Sequence, residues 1–323
     1  MITSKTNPKI KNLVRLQKAS ERREQGRILI EGQREIERAQ QCGFEIEQLY
    51  VCESLLREPL RIKAAFTETV TEEVFEKIAY REGSDGLLAV AIPKYKNLSE
   101  FKPRNDALII VLETVEKPGN LGAVMRTADA AGVDAVIVAD PATDLFNPNA
   151  IRASIGCIFS VPVYACSTEE CISWLKKNGI TIYCTYLKAS IDYLDADFTK
   201  ASALVMGTEA TGISQAWVDA ADQNIIIPMN GIADSLNVSV TTASVTFEAV
   251  RQRRKPEKPP TSQLSPLNSH PHEHRIVVRR IPSVIVIKRN LLRGIGGFEC
   301  FISVVGSPVA VGQHTVGIYL QLR

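Results

Sequence analysis

Residues 235–252 read SLNVSVTTASVTFEAVRQ, and no other stretch of the 323-residue chain says more about its architecture. Ser235 and Asn237 are of the types that cap helix starts. Val240, Ala243, Ser244, Phe247 and Val250 then recur at helical spacing, so a helix from Val238 to Arg254 should pack that face on a sheet or on a partner subunit. An apolar strand ending Ile225-Ile226-Ile227-Pro228-Met229 precedes the stretch. Further upstream lie two more polar loops, Lys117-Pro118-Gly119-Asn120 with Arg126 beyond it, and Gly207-Thr208-Glu209 with Gly212. Three polar loops at strand ends point to one composite site.

Outward from that stretch, residues 107–254 alternate strand and helix, the pattern of an α/β domain with a mostly parallel sheet covered on both faces. Strands are predicted at Leu108–Leu112, Ala135–Ala139, Val161–Ala165, Thr181–Thr185, Ala203–Met206 and Asn224–Ile227. The intervening helices are placed at Leu121–Ala131, Pro148–Gly156, Glu169–Lys177, Ser214–Ala220 and Val238–Arg254. Residues 1–95 form a separate βαβα region, opened by a helix that starts at Asn7-Pro8 and runs to about Gln25 before Gly26 breaks it. Residues 96–106 read as the linker. Residues 255–323 form an atypical basic tail, introduced by Lys255-Pro256-Glu257-Lys258-Pro259-Pro260, to which no function is assigned.

The net charge of +2 conceals an uneven distribution. Residues 107–254 carry 10 basic and 16 acidic side chains, whereas the first 30 residues carry 8 basic and 2 acidic. Lys5, Lys9, Lys11, Arg15, Lys18, Arg22 and Arg23 form this patch, a type that attracts nucleic-acid phosphates by counterion release. The same residues, with Ile10, Leu13 and Val14 at helical spacing, also fit an amphipathic helix with a solvated charged face. The apolar runs are strand-sized, too short for a membrane span, and the basic, polar N-terminus has no signal-peptide pattern. Seven scattered cysteines without a C-x-x-C pair suit neither a disulfide framework nor a zinc site, and point to a reducing, cytoplasmic compartment.

All four histidines, His270, His272, His274 and His314, lie in the tail, so the α/β domain lacks the usual general base. The His270–His274 cluster sits in a proline-rich connector and reads as solvated rather than metal-binding. No G-x-G-x-x-G follows a strand and no G-x-x-x-x-G-K-[ST] occurs, which removes the phosphate cradles of dehydrogenases and P-loop enzymes. Taken singly, Asn120 reads equally as a helix cap and Arg126 as a surface ion-pair partner. Gly207 reads as a tight turn or as a close backbone approach to a ligand.

Taken together, the three loops resemble the three motifs of the SpoU/TrmH family of S-adenosylmethionine-dependent RNA ribose 2'-O-methyltransferases. The resemblance covers residues 1–254, most closely 107–254, and ILIEGQREIERAQQCGFEIEQLYV resembles the L30e-like substrate-binding domain that precedes many catalytic domains of this family. It implies a SPOUT α/β fold with a trefoil knot, S-adenosyl-L-methionine as cofactor and a homodimer. It places Asn120, Arg126, Glu209, Ser235 and Asn237 at the active site, and Gly207, Ile227, Met229 and Leu236 at the methyl donor. Ala210-Thr211 departs from more familiar versions, which carry glycine there. The L30e-like region favours ribosomal RNA over tRNA as the partner, with a tRNA methyltransferase or a non-catalytic ribosome-assembly factor as alternatives. Arg126 fits either a general base or a fixed charge stabilising the ribose alkoxide.

Overall fold

The computed structural model describes residues 1–254 apart from positions 82, 189, 209 and 210, together with two strands further on. Helices α1 (Pro8–Leu16) and α2 (Ala19–Gln25) open the chain. The Asn7 side chain accepts from Lys9 N at 2.9 Å, Pro8 takes the first helical position, and Ile10, Leu13 and Leu16 are buried. The single helix predicted for Pro8–Gln25 is therefore two. Lys18 is extended, and Arg22 folds under to donate from Nη1 to Leu16 O (3.0 Å) and Gln17 O (2.7 Å). A guanidinium on the free carbonyls of a helix end satisfies groups that a continued helix would have bonded internally.

Strands β1 (Ile28–Glu31), β2 (Ile46–Val51), β3 (Phe66–Thr69) and β4 (Leu87–Ala91) form a sheet in the order β1-β4-β2-β3, with helices α3 (Gln33–Gln41) and α4 (Glu72–Ile78) between strands. β4 pairs antiparallel to β1 and β2, while β3 runs parallel to β2 along the edge.

The second sheet contains β5 (Leu108–Glu113), β6 (Ala135–Ala139), β7 (Val163–Cys166), β8 (Thr181–Thr185), β9 (Ile191–Asp192), β10 (Ser202–Met206) and β11 (Gln223–Ile226). Every pairing is parallel, in the order β7-β6-β5-β10-β8-β11-β9. Its helices are α5 (Pro118–Ala131), α6 (Pro148–Ala153), α7 (Cys157–Ser160), α8 (Thr168–Lys177), α9 (Gln215–Ala220) and α10 (Val238–Arg253). The near-continuous apolar burial of β5, β6 and β10 is what a sheet covered on both faces requires. The helix predicted for Pro148–Gly156 ends at Ala153, because Ile155 and Gly156 turn left-handed (φ 51° and 82°) and start α7 afresh.

The two sheets belong to one compact unit, Met1–Pro256. Arg22 Nε donates to Asp144 Oδ2 at 2.7 Å, Arg38 donates to Ile155 O, and Phe44 packs edge-on against Phe146 and Phe159. The linker is docked too: Leu98 is buried, and Phe101 stacks on Tyr164 and Trp174. Glu257–Arg323 is a second unit, of which β12 (Arg275–Arg280) and β13 (Ser283–Lys288) form an antiparallel pair. The four histidines lie outside the described residues.

Candidate active site at the carboxyl edge of the parallel sheet

The loops after β5, β8, β10 and β11 all emerge from the carboxyl edge of the sheet. From β5 the chain winds outward to β6 and β7, then crosses to β8 on the other side of β5, and β10 later fills the place between β5 and β8. Such a reversal leaves a crevice above adjacent strand ends, the usual ligand position in an open α/β sheet.

A cleft of about 500 Å³ opens there, within the range of pockets for nucleoside-sized ligands. Gly207, Ile227, Met229 and Leu236 all line it, as does Ser235, so residues from two loops converge on one wall as the sequence led us to expect. Met206, Ile225 and Ile226 give it an apolar floor, and Lys188 and Asp234 bring charge to its lining. At Gly207 an added Cβ would lie 2.2 Å from Gly212 C, so the backbone there closes on itself with no space for a side chain. Thr208 and Gly212 exchange backbone hydrogen bonds of 3.0 and 3.1 Å, which makes the loop a closed turn. The apolar floor, the bare backbone and the polar lining fit an adenosyl group bearing an amino-acid tail.

A smaller hollow shares Met206, Gly207, Thr208 and Val238 with the cleft and adds Glu113, Lys117 and Asn120. Asn237 caps α10, accepting from Ser239 N at 3.0 Å, and its Nδ2 donates to Asn120 Oδ1 at 3.3 Å. Two loops 117 residues apart in sequence are thus tied beside the cleft. Asn120 is not the cap of α5: Lys117 holds that position, and Asn120 lies in the first helical turn. The reason is Pro118, which starts the helix three residues before the predicted Leu121.

Arg126 stands apart from this group. It is exposed, lines neither hollow and makes no hydrogen bond or ion pair among the described residues. Burial and then Asp129 push the nearby Cys157 thiol up, while Arg38 and, least of all, Arg126 pull it down. Glu209 lies outside the described residues.

Of the basic patch, Lys5, Lys11, Lys18 and Arg23 are exposed. Lys9 pairs with Glu68 and Arg15 with Glu21, yet both remain exposed. Arg22 must leave the list of RNA contacts: it is 3% exposed, held by Asp144 and the carbonyls of α1. Its charge is committed within the protein.

The sequence reading missed Glu113. This carboxylate is buried at the end of β5, and its Oε2 accepts from Ser214 N at 2.8 Å, anchoring the far end of the Gly207–Ile213 loop. An acid closing an otherwise apolar strand was its only signal. Among the described residues no group of three or more His, Cys, Asp or Glu could hold a metal ion, and no helix is long and apolar enough to cross a membrane.

Comparison with known proteins matches this geometry. Residues 107–247 fit the SpoU rRNA Methylase family, and residues 7–89 fit the MRM3-like substrate binding domain. The 23S rRNA (guanosine(2553)-2'-O)-methyltransferase RlmP of Bacillus subtilis is 30% identical over 251 residues, covering 76% of this chain and 97% of its own. A solved RNA 2'-O ribose methyltransferase is 44% identical with a TM-score of 0.71, covering 78% of this chain and 98% of that one. The SpoU methyltransferase AviRb of Streptomyces viridochromogenes, solved with AdoMet, is 27% identical with a TM-score of 0.70, over 76% of this chain and 98% of that one. With its three loops gathered at one sheet edge and relatives aligned over nearly their full lengths, this chain belongs to the SpoU rRNA methylase family.

Proposed function

We propose that this chain transfers the methyl group of S-adenosyl-L-methionine to a ribose 2'-hydroxyl of large-subunit ribosomal RNA, acting as a homodimer in the cytoplasm. The observation that carries the reading is the convergence of Gly207, Ile227, Met229, Ser235 and Leu236 on one cleft, beside the Asn237–Asn120 bond. When bound, the cofactor supplies a methyl group already made electrophilic by its sulfonium. The protein's task is therefore mainly alignment. The Asn237–Asn120 bond fixes α5 relative to α10, and Glu113 holds the cofactor loop through Ser214 N. Arg126 stabilises the developing 2'-alkoxide electrostatically, as a charge fixed beside the ribose.

Two observations favour the dimer. Val240 and Phe247 of α10 are 49% and 44% exposed, because Thr242, Val245, Thr246 and Ala249 form the face that is buried. The stripe predicted at Val240 and Phe247 therefore suits a partner subunit. Arg126, exposed and lining neither hollow of its own chain, suits a site completed by a second chain. A trefoil-knotted path through residues 202–254 is part of the proposal. It is supported by the return of α10 to the lead-in of β10, where Gln252 and Arg253 bond to Ala196 O, Phe198 O and Lys200 O.

The test is calorimetric titration of the full-length protein with S-adenosylmethionine and its demethylated product, paired with ribose-methylation mapping of ribosomal RNA from cells with and without the gene. Binding in the micromolar range and loss of one 23S-type methylation are expected. No binding to folded protein, or a lost mark in tRNA instead, overturns the respective part of the reading.

A further inference from the structure

A second cavity, of about 500 Å³, lies in the region matched by the substrate-binding family, between α1, α2 and the edge of the first sheet. Phe66 forms one wall. It opens the edge strand β3 and is 71% exposed, while its cross-strand partner Gln48 lines the same cavity. Gln48 Oε1 accepts from the Tyr50 hydroxyl at 2.7 Å, and its amide nitrogen has no acceptor among the described residues. Asn12 and Gln25 pair reciprocally through their amides at 3.1 Å, and Glu47 is neutralised by Arg27. Glu45, an exposed residue of the lining, has no ion-pair partner among the described residues.

We propose that this cavity receives one unpaired guanine of the substrate RNA, an inference that rests on the RNA methyltransferase reading. Proteins read single-stranded RNA by stacking bases on aromatic rings and hydrogen-bonding their edges. Phe66 provides the ring. The Glu45 carboxylate accepts from guanine N1–H and its exocyclic amine, and the Gln48 amide donates to O6. With Arg27 and Glu47 offsetting each other, the uncompensated Glu45 carboxylate disfavours a phosphate, so the base enters and the backbone stays outside. A donor–acceptor set beside an exposed aromatic suits a nucleobase better than a purely apolar partner.

The probe is a short fluorescein-labelled RNA of cytidines and adenosines with one central guanosine, followed by anisotropy with the full-length protein. Phe66→Ala should weaken binding between about fivefold and about a hundredfold, and Phe66→Trp should restore it. The salt slope should stay unchanged in both, because no phosphate contact is lost. Replacing guanosine by inosine, which lacks the exocyclic amine, should weaken binding to the wild type and not to Glu45→Gln. Equal affinity for Phe66→Ala and wild type overturns the proposal, as does a Phe66→Ala loss accompanied by a changed oligomeric state, which would make the ring a subunit contact. A wild type that takes up S-adenosylmethionine but ignores this RNA also overturns the pocket, while leaving the methyltransferase reading intact. Failure to bind the cofactor counts against that reading instead.

Discussion

The carboxyl edge of the parallel sheet and the basic helices at the N-terminus are both polar regions, but they handle polarity in opposite ways. At the sheet edge the functional groups stay at the surface of two hollows, and they are organised by a few bonds such as Asn237–Asn120 and Glu113–Ser214 N. In the N-terminal helices part of the charge is turned inward or paired: Arg22 with Asp144, Lys9 with Glu68, Arg15 with Glu21. The difference teaches that a run of like residues is not a uniform surface. A loop motif keeps its meaning because its residues sit on one short turn, whereas a helical charge run is divided by which side faces the protein.

The largest effect should come from the inward-turned charge. Arg22→Ala leaves Asp144 unpaired at a buried seam and frees the carbonyls of α1, so it should cost about 3–5 kcal/mol in denaturant unfolding. The salt slope of RNA binding should not move. A slope reduced by about one unit with stability intact would put Arg22 back among the phosphate contacts.

Arg126→Ala tests the outward-facing counterpart. Single-turnover methyl transfer should fall at least about a hundredfold, about 2.7 kcal/mol of barrier, while cofactor affinity stays the same. Transfer at near wild-type rate under saturating RNA and cofactor would move attention to Ser235. Asn237→Ala sits between the two behaviours, since it removes both the cap of α10 and the bond to Asn120. It should cost about 1 kcal/mol of stability and slow transfer as well; thermal unfolding unchanged from wild type would show that the cap is dispensable.

Replacing Lys5, Lys11 and Lys18 together by glutamine should reduce the salt slope of RNA binding by about 2–3 units without altering cofactor binding, because all three are exposed. An unchanged slope would make them a merely solvated face. The smallest effect is expected at Glu31, whose carboxyl burial pushes up against opposing help from Tyr80 N, Ser84 and Arg81. A raised folded-state pKa means that the native protein holds this proton more tightly than the unfolded chain. The stabilising contribution is complete at acid pH and is lost as pH rises through the folded value. Glu31→Gln should therefore be slightly more stable than wild type above that value, with the gap closing on acidification. A gap that widens on acidification would reverse the sign of the assignment.

Much of the catalytic region was legible because its signals are local. Apolar runs of strand length, Pro118 and Asn237 at helix starts and glycine at 207 each act within a few residues, so six predicted strands appear with ends shifted by no more than two positions. The boundaries moved where a distant group intervened. The helix from Pro8 stops early because Arg22 returns to cap it, and α6 stops early at the left-handed Ile155, whose carbonyl accepts from Arg38. Periodicity correctly placed a helix after Asn237, and of its two alternatives for the Val240–Phe247 stripe the sheet is not the one taken. The sheet covers Val245 and Ala249 and leaves Phe247 outside, because both sides of that helix carry small or apolar residues.

By itself, then, the sequence determined the element types, the three loops and, through their resemblance, the chemistry, since each depends on residues close together in the chain. The tertiary structure alone decided that Arg22 belongs to the core, that Glu113 anchors the Gly207–Ile213 loop and that Gln48 and Phe66 face one cavity. Those facts depend on contacts between residues far apart in the chain or on neighbouring strands. Which partner a charge or a ring meets is set by the packing of whole elements, and no local pattern encodes it.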